Sequence, residues 1–145
     1  WLGSQQDVLF KGANYTHEVS VISQIDDFVS INSAVEIDLY GQVNAEFAGG
    51  RQLSGTGGSV DFMRAAKSSK RGKSIVAMNA TAKNGSVSRI VPKVEMVTAL
   101  RTDVDIVVTE FGVADLKNLS IKKRADALIE ISAPQFREEL RRSKV

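Results

Sequence analysis

The sequence predicts an α/β domain, a mixed, largely parallel open sheet flanked by helices. Three observations carry that class. The runs at 73–78 and 105–109 are short, apolar and rich in β-branched residues, as in strands buried on both faces. The last third changes to helical spacing, with Ile121, Ala125, Leu128 and Ile129 at i, i+4, i+7 and i+8. Glycine-rich turns separate the two patterns, so strands and helices alternate along the chain.

Taken in order, Val29 to Leu39 alternates strictly and predicts one strand. Val29, Ile31, Ser33, Val35, Ile37 and Leu39 face one way; Ser30, Asn32, Ala34, Glu36 and Asp38 face the other. Asn32, Glu36 and Asp38 thus share a polar face. Gly41 turns the chain into a partner strand over 42–47, which Gly49-Gly50 ends. A glycine-rich segment, Ser54 to Ser59, feeds a helix with Val60, Met63 and Ala66–Lys67 on its inner side. Lys73 to Met78 is a strand, Lys83-Asn84-Gly85-Ser86 a turn, and Ser88 to Val91 leads to Pro92. Thr102 to Asp105 approaches the next strand, which delivers Thr109-Glu110-Phe111-Gly112 at its carboxyl edge. Ser120 caps the following helix. Ser132-Ala133-Pro134-Gln135 reads as a capping box that opens a last helix with Phe136 and Leu140 inward. The tail Arg141-Arg142-Ser143-Lys144 reads as a frayed, solvated end.

With 145 residues, 43% of them hydrophobic, the chain suffices for one domain, or a piece of a larger protein, with a core of its own. It contains no Cys, which excludes disulfides, iron–sulfur clusters, thiolate zinc sites and cysteine nucleophiles. Its one histidine, His17, leaves little for a histidine metal site or a Ser-His-Asp triad, so no metal is expected. No apolar run approaches the ~20 residues of a membrane span. The N-terminus shows no basic-then-apolar signal, so the expectation is a cytoplasmic protein with no membrane partner. The absence of an initiator Met fits a chain that begins inside a longer gene product.

Charge is segregated. Residues 1–63 carry −6, residues 64–93 carry +8 with no acid, residues 94–116 carry −4 and residues 117–145 carry +4. The +8 segment is a candidate polyanion site or a solvated basic face. Nucleic acid suits it poorly, because the nearest aromatic, Phe62, only precedes it and no stacking pattern follows. A small phosphorylated ligand fits as well. The loop Ser54-Gly55-Thr56-Gly57-Gly58-Ser59 would present free N–H groups at a helix start. Its spacing matches neither the phosphate-loop nor the dinucleotide pattern, and an ordinary tight turn is the alternative.

Several segments in unbroken order are more specific than any of these signals. They are Ser30-Ile31-Asn32-Ser33-Ala34 through Asn44, Ser54-Gly55-Thr56-Gly57-Gly58 through Phe62, Gly72-Lys73-Ser74-Ile75, and Ser88-Arg89-Ile90-Val91-Pro92. Val107-Val108-Thr109-Glu110-Phe111-Gly112 through Leu116, Arg124-Ala125 and Phe136-Arg137 complete the set. Together, from about Ile22 to Leu140, they resemble the C-terminal domain of the acetyl-CoA hydrolase/transferase family. These are the class I CoA-transferases, which include 4-hydroxybutyrate and succinyl-CoA:acetate CoA-transferases.

The resemblance implies a NagB/RpiA-like CoA-transferase domain and a homo-oligomeric enzyme. It implies coenzyme A, carried as acyl-CoA, and a short carboxylic acid as the reaction partners. In such enzymes a glutamate attacks the thioester and passes through a glutamyl-CoA intermediate, with tetrahedral oxyanions that need preorganised donors. That glutamate lies upstream of the matched region, so the resemblance implies an absent N-terminal domain and a fragment inactive by itself. A hydrolase, in which water resolves the intermediate, is the near alternative; a non-enzymatic nucleic-acid or other polyanion-binding module is the distant one.

Residue by residue, the resemblance gives Gly57 and Gly58 the oxyanion and CoA thioester contact. Asn32 and Glu110 become polar groups of the catalytic cleft, Lys83 a partner of the CoA phosphates, and Lys73, Ser88 and Arg89 further lining. Read from the residues alone, Asn32 could instead bond an edge backbone, Glu110 could pair with Arg101 or Arg89, and Asp61 could serve only the helix dipole. Departures from the family pattern fall in turns. Ala65 or Ala66, Arg71 and Asn118 stand where glycine is usual, residues 92–97 are shorter than usual, and Ser132-Ala133-Pro134 replaces Ala-His-Pro.

Overall fold

The computed structural model describes residues 1–144. The chain enters through a 3-10 turn at Leu2–Ser4 and two short helices, α1 (Ala13–Thr16) and α2 (Val19–Ile22). The Glu18 carboxylate caps α2, accepting from Ser20 N at 3.2 Å. Strands β1 (Val29–Asn32), β2 (Glu36–Asp38), β3 (Val43–Asn44), β4 (Phe47–Ala48) and β5 (Arg51–Gln52) follow, then α3 (Ser59–Ser68) and β6 (Lys73–Ala77). The hairpin β7 (Thr81–Ala82) and β8 (Val87–Ser88) leads to β9 (Ile90–Val91), β10 (Ile106–Thr109) and β11 (Gly112–Asp115). Helices α4 (Ile121–Glu130) and α5 (Arg137–Arg142) close the chain.

The principal sheet has the order β1-β6-β10-β11, with β1, β6 and β10 parallel and β11 antiparallel at the edge. A smaller sheet, β3-β2-β9, packs with α3 and α4 around one core that includes Ile37, Met63, Val76, Val107, Leu116 and Leu128. This is the predicted class, and the strand expectations at 73–78 and 105–109 match β6 and β10. The antiparallel strand β11 was not anticipated, because Gly112 and Asp115 dilute its apolar pattern.

The single strand expected over 29–39 is two strands in two different sheets. The cause lies far away in sequence. Arg89 reaches into the break, donating from Nε to Val35 O at 2.8 Å and from its other nitrogen to Ala34 O. Those carbonyls are therefore taken out of any continuous ladder. The orientation of β1 is also the reverse of the expectation: Ser30 is 4% exposed while Ile31 is 67% exposed. Ser30 faces the core, and Ile31 is exposed on the opposite side of the sheet.

Helix α3 buries Met63, Ala65 and Ala66, with Val60 packed against the core and Asp61 in its first turn; Lys67 is exposed, against the expectation. Ser120 caps α4 as predicted, its Oγ accepting from Lys123 N, and Ala125, Leu128 and Ile129 are buried while Ile121 is exposed. The capping box at 132 does not form. Ser132 Oγ donates to Ile129 O at 2.6 Å, and Ala133 holds the cap position of a 3-10 turn, Pro134–Phe136. The tail does not fray either, because α5 runs through Arg142 and Lys144 pairs with Asp126.

Two of the turn departures keep the geometry a glycine would give. Arg71 has φ 62° and Asn118 has φ 59°, the left-handed region that L-residues rarely enter. Arg71 is held there by a bidentate pair with Asp27, at 2.7 and 2.6 Å.

Candidate active site

The C-terminal end of α3 is tied to the amino edge of the sheet. Ser69 Oγ donates to Ile25 O at 2.6 Å and accepts from Phe28 N at 3.3 Å, just before β1. A ten-residue helix is about 15 Å long. Its N-terminus, with Gly57 and Gly58, therefore lies toward the carboxyl ends of the parallel strands. Asn32 ends β1 and Glu110 follows β10 directly, so both stand at that same edge. Open α/β sheets place ligands there.

Each group is locally fixed. Asn32 donates from Nδ2 to Ser30 Oγ at 2.8 Å, so its side chain bonds a neighbouring hydroxyl and not an edge backbone. Glu110 accepts from Ala80 N at 2.7 Å, just past β6, and makes no ion pair with Arg101 or Arg89 among the described residues. Gly57 has φ +60°, and a Cβ at Gly55 or Gly57 would meet nothing within 4 Å, so the loop is open to solvent. The N–H groups of Gly57 and Gly58 have no acceptor among the described residues. The loop's root is anchored by Glu46, which accepts from Gln52 Nε2 at 2.9 Å and Thr98 Oγ1 at 2.8 Å. Gln52 Nε2 also donates to Ser54 O at 2.7 Å.

A cleft of about 280 Å³ gathers Lys83, Ser88 and Arg89 with Glu36 and Glu95. Lys83 stands at the tip of the β7–β8 hairpin, where Lys83, Asn84 and Gly85 all have positive φ, and its side chain is exposed. The other two side chains are already engaged. Ser88 Oγ donates to Ile90 O at 2.6 Å, and the Arg89 guanidinium binds the Ala34 and Val35 carbonyls. Lys73 is not brought to this region. It opens β6 at the amino edge, roughly 13 Å of strand from Ala77 at about 3.3 Å per residue.

Tertiary structure also redistributes the +8 segment. Arg64 meets Asp103 at 3.3 Å, Lys67 pairs with Asp105, Lys70 reaches Asp26 at 3.5 Å and Arg71 holds Asp27. Half of its cations are thereby partnered with carboxylates from other segments, and Arg89 is spent on carbonyls. The Asp27 carboxyl is held below its ordinary range by the Arg71 hydrogen bond, aided by Lys73 and opposed by desolvation.

One neighbour of the glycine pair is invisible to sequence pattern. His17 packs its ring on Phe62 with centroids 4.8 Å apart, and it lies directly against Gly58. No local signal links His17 to residue 58; only the docking of α2, which His17 precedes, on α3 does.

Comparison with known proteins bears on these groups. Residues 1–144 match the family model for the acetyl-CoA hydrolase/transferase C-terminal domain. The chain is 51% identical over 130 residues to the 4-hydroxybutyrate coenzyme A transferase of Clostridium kluyveri, covering 88% of this chain and 30% of that protein. It is 39% identical over 114 residues to the acetyl-CoA hydrolase of Candida albicans, covering 77% of this chain and 22% of that protein. The crystal structure of RipA from Yersinia pestis superposes with a TM-score of 0.85 at 45% identity, over 90% of this chain and 30% of that one. The chain thus spans about 30% of the length of such relatives. By the family match and by fold, it belongs to the acetyl-CoA hydrolase/transferase family, as its C-terminal domain.

Proposed function

We propose that this chain is the C-terminal part of a longer enzyme that moves coenzyme A between an acyl-CoA and a short carboxylic acid. The observation that carries the reading is the family match over 1–144, together with the gathering of Asn32, Gly57–Gly58 and Glu110 at one sheet edge. In the proposed reaction a glutamate from the N-terminal part attacks the thioester carbonyl. Thiolate leaves, forming an acyl-glutamyl anhydride; the thiolate then attacks the glutamyl carbonyl and expels the first carboxylate. The incoming carboxylate reverses both steps.

The residues of this chain would act on charge and position. The Gly57 and Gly58 N–H groups, at the positive end of the α3 dipole, would stabilise each tetrahedral oxyanion. Glu110, fixed by Ala80 N, and Asn32, fixed by Ser30, would orient the carboxylates. Lys83 would meet the CoA phosphates as a mobile cation, with Ser88 and Arg89 shaping the wall behind it. Hydrolysis is the second reading, favoured by the likeness to the acetyl-CoA hydrolase of Candida albicans.

The test supplies the full-length protein with short acyl-CoA substrates, with and without a second carboxylate, and follows both new acyl-CoA and free thiol. Carboxylate-dependent appearance of a new acyl-CoA is the expected result. Thiol release independent of added carboxylate would make the enzyme a hydrolase. Neither product, across several acyl chains, would overturn the reading.

A further inference from the structure

Gly57 and Gly58 are glycines for different reasons. Gly57 has φ +60°, the left-handed region, and a Cβ there would meet nothing within 4 Å. Gly58 has φ −100° and ψ 10°, angles that an alanine also adopts. Its backbone does not demand glycine; a neighbour does. The three atoms nearest to a Cβ at residue 58 all belong to the His17 ring. That ring is half-buried and held from two directions. Thr16 Oγ1 lies 3.0 Å from Nδ1, and the Phe62 ring packs with centroids 4.8 Å apart. Phe62 stands one helical turn beyond Gly58, whose carbonyl accepts from Phe62 N at 3.4 Å, so one imidazole covers two successive positions on a single face of α3. Phe62 in turn stacks on Phe28, centroids 6.4 Å apart, the residue that leads into β1. A line of rings thus runs from the edge of the sheet to Gly58.

Two adjacent glycines leave a peptide unusually free to swing. On the Gly57 side the loop meets open space; on the Gly58 side it meets the imidazole. Hydrogen-bond donors stabilise an oxyanion only as far as they are already aimed at it. We propose that His17 is a positioning residue for the glycine pair. Its ring backs Gly58, blocks the loop from collapsing onto α1, and keeps the Gly57 and Gly58 N–H groups turned to the cleft. This deepens, and rests on, the reading of those groups as the oxyanion donors. The imidazole acts through the loop and on no reacting atom: Nδ1 is engaged with Thr16, and the Cδ2–Nε2 edge faces residue 58.

The test compares the full-length parent, His17→Ala, and His17→Ala with Gly58→Ala in the acyl-CoA assay. In His17→Ala, kcat should fall about 10–100-fold, the cost of misplaced groups, with KM for acyl-CoA within about 2-fold. In the double variant the added methyl enters the space the ring has left, on the side away from the open face of the loop, and narrows the backbone at 58. It should regain at least about 5-fold of the lost kcat, a rescue that overall stability alone does not give. An unchanged kcat in His17→Ala would overturn the proposal. A loss with no rescue would also overturn it, and would give the imidazole a direct part in the chemistry. Should His17→Ala fail to fold, Thr16→Val carries the test: this exposed change only frees the ring. There kcat should drop about 3-fold or more at constant KM, and no drop rejects the proposal. Crystal structures of the parent and the variant keep the two proposals apart. Residues 56–58 should move by about 1 Å or more, or lose order, when the ring is removed or freed. An unmoved loop rejects the positioning role whatever the assay shows, whereas a displaced loop in an enzyme without transfer rejects only the enzymatic reading.

Discussion

The imidazole of His17 occupies the space a side chain at residue 58 would need. A Cβ on Gly58 would lie 2.2 Å from His17 Cδ2 and 2.6 Å from Nε2. Thr16 Oγ1, 3.0 Å from Nδ1, and the Phe62 ring restrict the imidazole's retreat. Gly58→Ala should therefore cost about 1–3 kcal/mol through overpacking. In a His17→Ala background the same substitution should cost clearly less, with a coupling of about 0.5–3 kcal/mol. Urea unfolding of the four proteins measures it; strictly additive values would show that the contact does not constrain residue 58.

Two other glycines should behave oppositely. A Cβ on Gly72 would sit 2.0 Å from Ala66 O, a backbone atom that cannot rotate away, whereas one on Gly55 would meet nothing within 4 Å. Gly72→Ala should lose more than about 3 kcal/mol or fail to fold, while Gly55→Ala should stay within about 0.5 kcal/mol of the parent. Thermal unfolding compares them. If Gly55→Ala keeps its stability and loses acyl transfer, the loop's close approach to ligand is the cause.

The Asp27–Arg71 pair makes a signed pH prediction. Because the folded-state pKa of Asp27 is lowered from 3.8, its stabilisation is present above that value and is lost as pH falls through the lower folded-state value. Arg71→Gly should remove that part of the acid limb while relieving the left-handed backbone at 71. Urea midpoints between pH 7 and 3 test this, and an acid limb of unchanged slope would show that the pair contributes nothing.

Glu110→Gln separates charge from structure. The amide oxygen can still accept from Ala80 N, so melting should shift little, equivalent to about 0.5 kcal/mol or less. The full-length enzyme should lose at least 10-fold in kcat with KM nearly unchanged, the mark of an interaction made in the transition state. Full activity in this variant would remove Glu110 from the proposed chemistry.

Elements set by neighbouring residues were legible in the sequence. The Ser120 cap, the β-branched runs of β6 and β10 and the glycine turns need only local geometry, and they formed where expected. The break between β1 and β2 was not legible, because it depends on Arg89 binding carbonyls at 34 and 35. The capping box at 132 failed for a subtler reason: two local uses compete for one hydroxyl, and Ile129 O took it. At the candidate site, Asn32, Gly57–Gly58 and Glu110 lie toward the carboxyl edge of the sheet, whereas Lys73 opens β6 at the amino edge, a placement that no local pattern could give.

The sequence by itself determined the class of fold, most of the elements and the exclusion of cysteine chemistry, since composition and periodicity are properties of the chain. Only the tertiary structure decided how the +8 segment is spent, which end of each strand a polar residue occupies, and that Ser30 and not Ile31 faces the core. Those outcomes depend on which distant groups the closed chain brings within a few ångströms. Ion pairing, hydrogen bonding and burial act at that range, and local patterns carry no record of it.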